Sequence, residues 1–384
     1  MSAGADEAGL IFLDTLSPED GAIRPIAGGG VFQRPPPVVL EDCSEDGTPH
    51  LLGAPREIPL AATSLVTLRP GARVVSSYAV QTPSGAVMLP RGDRALVADY
   101  RAAATAGGPP AADLAAVGTG LDWFADGQRM QARATRALDG DVFWAGPDER
   151  DNWGVWLMQT LPTLAWAEAE GVEGRLLCHA ATAWQRDLIA LAAPRLSARL
   201  VPQDQGAAYA VGGRLGFLAQ NLRNLAPSDF ERTALDGWSA RVADGSAATP
   251  ERIFVSRLSQ ARRHPDYRVL RNEAALIAAL EAEGLTAVEP ETLPFSQQVA
   301  LFARARQVAG LGGAGMFNAV FCRPGTPVLT IESSAGWIEA HANLFAGRGL
   351  PYGVVFGRRE GPGSHAPWSV PVETVVAAVR RMAP

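Results

Sequence analysis

Lysine is absent from this chain: all 34 basic residues are arginine. That excludes chemistry built on a lysine, such as a Schiff base, a P-loop ammonium or a kinase-type lysine. Any anion held by the protein must be met by guanidinium groups, backbone N–H groups or histidine. Cysteine is nearly absent too. Cys43, Cys178 and Cys322 lie far apart and are odd in number, which forms no zinc pattern and no disulfide framework and suits a reducing compartment. Charge is sparse at 19%, with a net charge of −6, so the basic footprint needed for nonspecific nucleic-acid binding is missing. No uninterrupted apolar run reaches the ~18 residues of a membrane span. The opening MSAGADEAGLIFLDTL has no basic n-region and carries acids early, unlike a secretory signal. These absences point to a soluble, cytoplasmic protein.

What is present is a 47% hydrophobic chain of 384 residues, ample for a core. At roughly 150 residues per domain it suits two domains. Residues 1 to 120 are rich in Pro and Gly; Ala72–Val80 and Ala86–Leu89 read as short strands, and Gly107-Gly108-Pro109-Pro110 as a loop. From about 140 strands and helices alternate. Asp141–Trp144, Gly174–His179 and Ala198–Val201 read as strands, Ala183–Ala193 as a helix, and Trp153–Ala169 as a helix interrupted at Pro162. Ala208–Leu218 reads as a hairpin, and Pro227–Asp244 is polar and helix-like. The small residues from Gly245 to Pro250 form a linker, which divides the chain into domains 1–245 and 250–384. Beyond it the βα rhythm is regular: strands at Arg252–Ser256, Thr286–Val288, Gln307–Leu311, Val328–Ile331 and Tyr352–Phe356, with helices at Asn272–Glu283, Phe295–Ala305, Trp337–Ala346 and Val372–Met382. Alternation of this kind predicts an α/β fold with parallel βαβ units.

Three constellations could carry chemistry. Ser256-Arg257 closes a strand, followed by Arg262, Arg263 and Arg268, then Asn272-Glu273 opens a helix. Strand ends are where open α/β sheets bind ligands, and a guanidinium offers a planar fork to phosphate oxygens. The alternative is a solvated arginine loop paired to acids. The second constellation is Gly310-Leu311-Gly312-Gly313-Ala314-Gly315, continuing to Asn318, where glycines and a helix N-terminus allow backbone N–H groups to approach a phosphate. It also matches G-x-G-x-x-G literally, with the acid Glu332 ~20 residues on, as an NAD(P)-binding Rossmann oxidoreductase would have. The third is Asp151-Asn152-Trp153-Gly154-Val155-Trp156 running to Pro162, with Trp144 and Trp166 nearby; the rings could face a sugar or simply fill a core. Asp139-Gly140-Asp141 has the D-x-D form of metal-dependent nucleotide-sugar enzymes, although its place at a strand start favours a structural turn. The five histidines show no metal spacing; His264 and His341 lie nearest these motifs.

Taken in order, the pieces resemble glycosyltransferase family 61. The pattern is strand, Ser256-Arg257, Arg262-Arg263, Asn272-Glu273, then Glu289-Pro290-Glu291, Gln297-Gln298, Phe302-Ala303, the Gly-rich turn and a strand after Pro-Gly. It covers about 252 to 335, with an upstream echo at 152 to 162. Gly312 and Val155 stand where the family's motifs usually carry histidine. The resemblance implies a GT-B-like architecture of two Rossmann-like domains facing a cleft, and inverting, metal-independent transfer from a nucleotide-sugar to a glycan or polysaccharide acceptor, with no cofactor. It implies donor or phosphate contacts from Arg257, Arg262, Arg263, Asn272, Glu273, Gly312, Gly313, Ala314, Gly315, Asn318 and Glu332. Asn152, Trp153 and Trp156 would lie on the acceptor side. Inversion needs a base, for which Asp151 is the candidate, with an N-cap role as its alternative. A non-catalytic relative within a glycan-assembly complex is a further alternative, since both histidines are replaced.

Overall fold

The computed structural model describes residues 10–44, 52–60, 62–76, 79–90, 134–147, 149–204, 206–220, 225–243, 249–333, 338–361, 363 and 365–384. The expected loop at 107–110, residues 245–248 of the expected linker, and Trp337 lie outside them. Two compact units emerge, residues 1–30 with 60–223, and residues 31–59 with 224–384. The division differs from one at 245–250, for two physical reasons. The helix Asp229–Ala243 packs on the second unit, with Trp238 5.4 Å from Phe295 and Ser239 Oγ donating to the Phe321 carbonyl at 3.1 Å. The strand Val39–Asp42, far upstream, pairs with Tyr352–Phe356.

The first unit is mixed α/β. One sheet runs in the order Leu200–Pro202, Arg175–Cys178, Val142–Trp144, Leu215–Gln220, Thr63–Leu68, Gly21–Ala27. Its first four strands are parallel, and the last two are joined on by antiparallel pairings. A second sheet includes Arg73–Val74, Val80–Gln81, Val87–Met88, Thr135–Leu138 and Ala208–Val211. Val66, Leu68, Val142, Trp144, Leu177 and Phe217 from one sheet and Val74, Val80, Met88, Tyr209 and Val211 from the other share one core. The expected hairpin at 208–218 is therefore not formed: its two strands belong to different sheets. Gly212-Gly213 crosses between them alongside Asp139-Gly140-Asp141, with Gly212 N–H on the Leu138 carbonyl at 2.8 Å and Gly213 N–H on the Gly140 carbonyl at 2.9 Å.

The helix expected at 153–169 begins at Trp153, passes through a π-helical turn at Trp156–Thr160 and continues as Leu161–Ala169. Pro162 lacks an N–H and its ring crowds the carbonyl four residues back, so the ladder widens there instead of breaking.

The second unit is built on a six-stranded, all-parallel sheet in the order Thr286–Val288, Arg252–Val255, Gln307–Leu311, Val328–Glu332, Tyr352–Phe356, Val39–Asp42. Phe254, Leu329, Ile331 and Val355 face the helices Glu273–Ala282 and Val372–Arg381, meeting Leu276, Leu280, Val375 and Val379. The alternate residues Ile253, Val255, Val308, Val328 and Val354 are buried as well, so both faces are covered, as parallel sheets require. From Arg252–Val255 the chain first moves outward to Thr286–Val288, then returns to the other side at Gln307–Leu311. That reversal is a topological switch point, and ligands of open α/β sheets sit beyond the strand ends there.

Candidate functional site

The two strands flanking the switch point end in Ser256-Arg257 and Gly312-Gly313. Ser256 is buried, and its Oγ donates to Glu273 Oε1 at 2.8 Å while accepting from Leu258 N–H at 3.1 Å. The same Glu273 oxygen accepts the Arg257 N–H at 2.7 Å. Glu273, the first residue of its helix, thus sets the turn after the strand; burial raises its pKa. The half-buried Arg257 side chain reaches the second strand end, donating from Nη1 to the Gly312 carbonyl at 3.0 Å. Burial, then the nearby Arg268 charge, lowers its pKa. A guanidinium stays charged regardless and retains further N–H donors.

Three glycines of the turn are required, each for its own reason. A side chain at Gly310 would collide with Met316 and Val255, where the following 3-10 helix Ala314–Phe321 packs on the sheet. A side chain at Gly312 would overlap the Glu332 carboxylate. Gly313 has φ +150°, with Arg257 Nη1 3.6 Å from where a Cβ would lie. As first residues of the helix, Ala314 and Gly315 present N–H groups without intrahelical acceptors. Asn318 is buried and internal: its Nδ2 donates to Gln298 Oε1 at 3.1 Å and to the Gly315 carbonyl at 3.2 Å, which holds the turn.

Below the turn lies a buried polar cluster. Glu332 is fully buried, with Oε1 accepting from Arg268 and from Ser333 N–H at 2.7 Å. Its other oxygen, Oε2, has no hydrogen-bond partner, nor do Thr330 Oγ1, Arg268 Nε and His341 Nδ1. His341 Nε2 lies 3.2 Å from the Gly313 carbonyl, a contact that needs the proton on Nε2. Burial pushes its pKa down to about 4, so the ring is neutral at pH 7. Arg268 reaches Glu332 from a backbone with φ +53°, a left-handed conformation uncommon for a non-glycine residue.

Other residues expected at the site are engaged elsewhere. Arg262 reaches Glu289, both carboxylate oxygens at 3.3 Å, and Arg263 lies 3.6 Å from Glu291; both arginines are exposed. Asn272 turns to the Val370 carbonyl at 2.7 Å and joins two segments of the fold. Glu332 lies beneath the turn, fully buried and paired with Arg268, and not at the surface where a ribose would meet it.

In the first unit the strand-end groups bond to one another. Asn152, not Asp151, caps the helix, with Oδ1 accepting from Gly154 N–H at 2.9 Å and Val155 N–H at 3.4 Å. Asp151 is exposed and lies 2.9 Å from Arg150 Nε. Trp156 is fully buried and donates to the Arg150 carbonyl at 2.6 Å, while Trp184 meets both Trp156 and Trp153 edge-on at 5.2 and 5.3 Å. Trp156 is a core residue. Asp141 accepts from Arg214 at 2.7 and 3.0 Å, and that pairing lowers its pKa. The D-x-D turn is structural. Among the described residues no cluster of His, Cys, Asp or Glu could hold a metal ion, and no helix is long and apolar enough to cross a membrane.

Tyr267 stands beside the turn without having been singled out from the sequence, while Arg268 was read only as one of an arginine run and His341 only as a histidine near the motifs. An arginine in an arginine-rich loop carries no sign of a left-handed backbone, and a lone histidine on an apolar helix reads as core.

A family model described as Glycosyltransferase 61 matches residues 153–329, spanning the capped helix, Ser256-Arg257, Glu273 and the Gly-rich turn. Residues 153–329 belong to the glycosyltransferase 61 family. The match joins the two stretches separated in the sequence pattern. Glu332, His341 and His365 lie beyond it. No curated protein is significantly similar to the chain.

Proposed function

We propose that this chain transfers a sugar from a nucleotide-sugar donor to a glycan or polysaccharide acceptor in the cytoplasm, and that its two units are the Rossmann-like halves of a GT-B-like enzyme. The observation that carries the reading is Arg257 bridging to Gly312 at the switch point of an all-parallel sheet, inside the family match. Glycosyl transfer leaves a nucleoside diphosphate carrying developing negative charge. A half-buried guanidinium and the first N–H groups of the Ala314–Phe321 helix supply fixed positive potential where that charge would grow. In this proposal they do what a metal ion does in other transferases, so the route is metal-independent and needs no cofactor. Anion contact falls on Arg257, Gly313, Ala314 and Gly315. Arg262 and Arg263 brace the Glu289-Pro290-Glu291 turn, and Glu273 and Asn318 position the clamp. An inverting route needs a base for the acceptor hydroxyl, and Asp151 is the residue we assign to it.

Isothermal titration against a panel of nucleoside diphosphates and nucleotide-sugars tests the reading. Arg257→Ala weakens nucleoside diphosphate binding by about tenfold to a hundredfold, the range for hydrogen bonds to a charged partner. Unchanged affinity in that variant, or no nucleotide binding by the wild type, overturns it.

A further inference from the structure

Tyr267 is the one aromatic among the large exposed hydrophobic residues described, at 44% exposure. It does not stand alone. The His365 ring stacks on it with centroids 4.6 Å apart and planes 27° from parallel, and His365 is exposed too. The Arg257 guanidinium carbon lies 5.8 Å from the Tyr267 ring centroid. Two loops far apart in sequence thus bring an aromatic pair to the cation at the switch point.

The pair is held, not loose. Arg268 N–H donates to the His365 carbonyl at 2.9 Å, and Trp368 Nε1 donates to the Arg268 carbonyl at 3.0 Å. The left-handed backbone at Arg268 sends its own side chain inward to Glu332 and leaves Tyr267 outside. Strain of this kind persists only where the surroundings over-determine it, and it concentrates at ligand sites. A rigid aromatic surface beside a guanidinium matches the chemistry of a nucleotide, with a π-face at one end and phosphate charge at the other.

We propose that Tyr267 and His365 form the stacking platform for the base of a nucleoside diphosphate whose phosphates Arg257 holds. The inference rests on the donor reading above and adds a subsite to it. Stacking is sequence-tolerant, so the platform favours nucleoside diphosphates over bare pyrophosphate without choosing strongly among bases.

The test measures affinities of uridine diphosphate, guanosine diphosphate and inorganic pyrophosphate for the wild type, Tyr267→Phe and Tyr267→Ala. In the wild type the nucleoside diphosphates bind more tightly than pyrophosphate. Tyr267→Ala shrinks that ratio by about fivefold to a hundredfold, and Tyr267→Phe keeps most of it. Saturation-transfer NMR on the wild type gives a second readout without any variant: irradiating protein aromatic protons marks the base protons more than the ribose protons. A ratio unchanged in Tyr267→Ala, or base protons marked no more than ribose protons, overturns the platform. Equal wild-type binding of pyrophosphate and nucleoside diphosphates sinks the platform and leaves the anion site standing. Failure of all three ligands to bind the wild type sinks the donor reading, and the platform with it.

Discussion

Both units set parallel strands side by side, yet they use the ends of those strands differently. In the first unit the polar groups there close on each other: Trp144 Nε1 on Gln203 Oε1 at 3.0 Å, Gln185 Nε2 and Trp156 Nε1 on the Arg150 carbonyl at 2.8 and 2.6 Å, and Asn152 on its own helix. In the second unit the ends carry glycines, a cation with N–H donors to spare and buried oxygens without partners. The same plan serves as a sealed edge in one unit and an open one in the other. In the donor reading proposed above, what separates the binding edge from the structural one is whether its polar groups are already satisfied.

The comparison can be broken at each side. The largest effect comes from Trp156→Ala, which empties a fully buried site and costs about 3–5 kcal/mol in urea unfolding, while nucleotide affinity per folded molecule is unchanged. A loss of affinity instead would make the first unit's edge part of the donor site.

Next comes pH. His341 is neutral in the folded protein, its pKa lowered to about 4, whereas an unfolded histidine titrates near 6.5. The unfolded state therefore binds the proton first. Stability from this group is full above the unfolded value, falls as pH drops toward the folded one, and amounts to roughly 3 kcal/mol across that window. His341→Gln keeps a donor for the Gly313 carbonyl and removes this part of the acid sensitivity, read from unfolding midpoints between pH 7 and 4. An unchanged pH profile refutes the buried neutral ring.

Glu273 separates shape from charge. Both of its bonds to the Ser256-Arg257 turn end on Oε1, which an amide oxygen can replace. Glu273→Ala costs about 1–3 kcal/mol and weakens nucleotide binding by misplacing Arg257, while Glu273→Gln stays close to wild type in both measurements. Equal damage from the two variants would mean that the charge matters.

The smallest effect belongs to the exposed arginines. Arg262→Ala and Arg263→Ala each change stability by less than about 0.5 kcal/mol, as exposed pairs do, and leave nucleotide affinity in place. A marked loss of affinity would return them to the phosphate clamp.

Much of the second unit was legible in the sequence because its strands are short apolar runs bounded by glycine and proline. Thr286–Val288, Gln307–Leu311 and Tyr352–Phe356 fall where the pattern sets them. Ser256, Arg257, Glu273 and the glycine turn were legible too, because residues that shape strand ends recur in fixed order. Two kinds of information were hidden. Val39–Asp42 pairs with a strand more than three hundred residues downstream, and local pattern cannot reveal such a partner. The burial of Glu332 and the pairing of Arg262 with Glu289 depend on which acids the fold brings near each arginine, and with so many arginines the composition does not discriminate. Ala208–Leu218 misled for a related reason: two glycines between apolar runs mark a reversal equally well when the runs join different sheets.

The upstream strand at the margin of the second unit has a practical corollary. Because Val39–Asp42 lies in register with Gly353–Phe356, a fragment begun at residue 250 would leave Tyr352–Phe356 with a bare row of amides and carbonyls. Such a truncation invites sticking between copies, whereas a soluble piece of this half must bring residues 31–59 along as a second, covalently separate or looped-in segment.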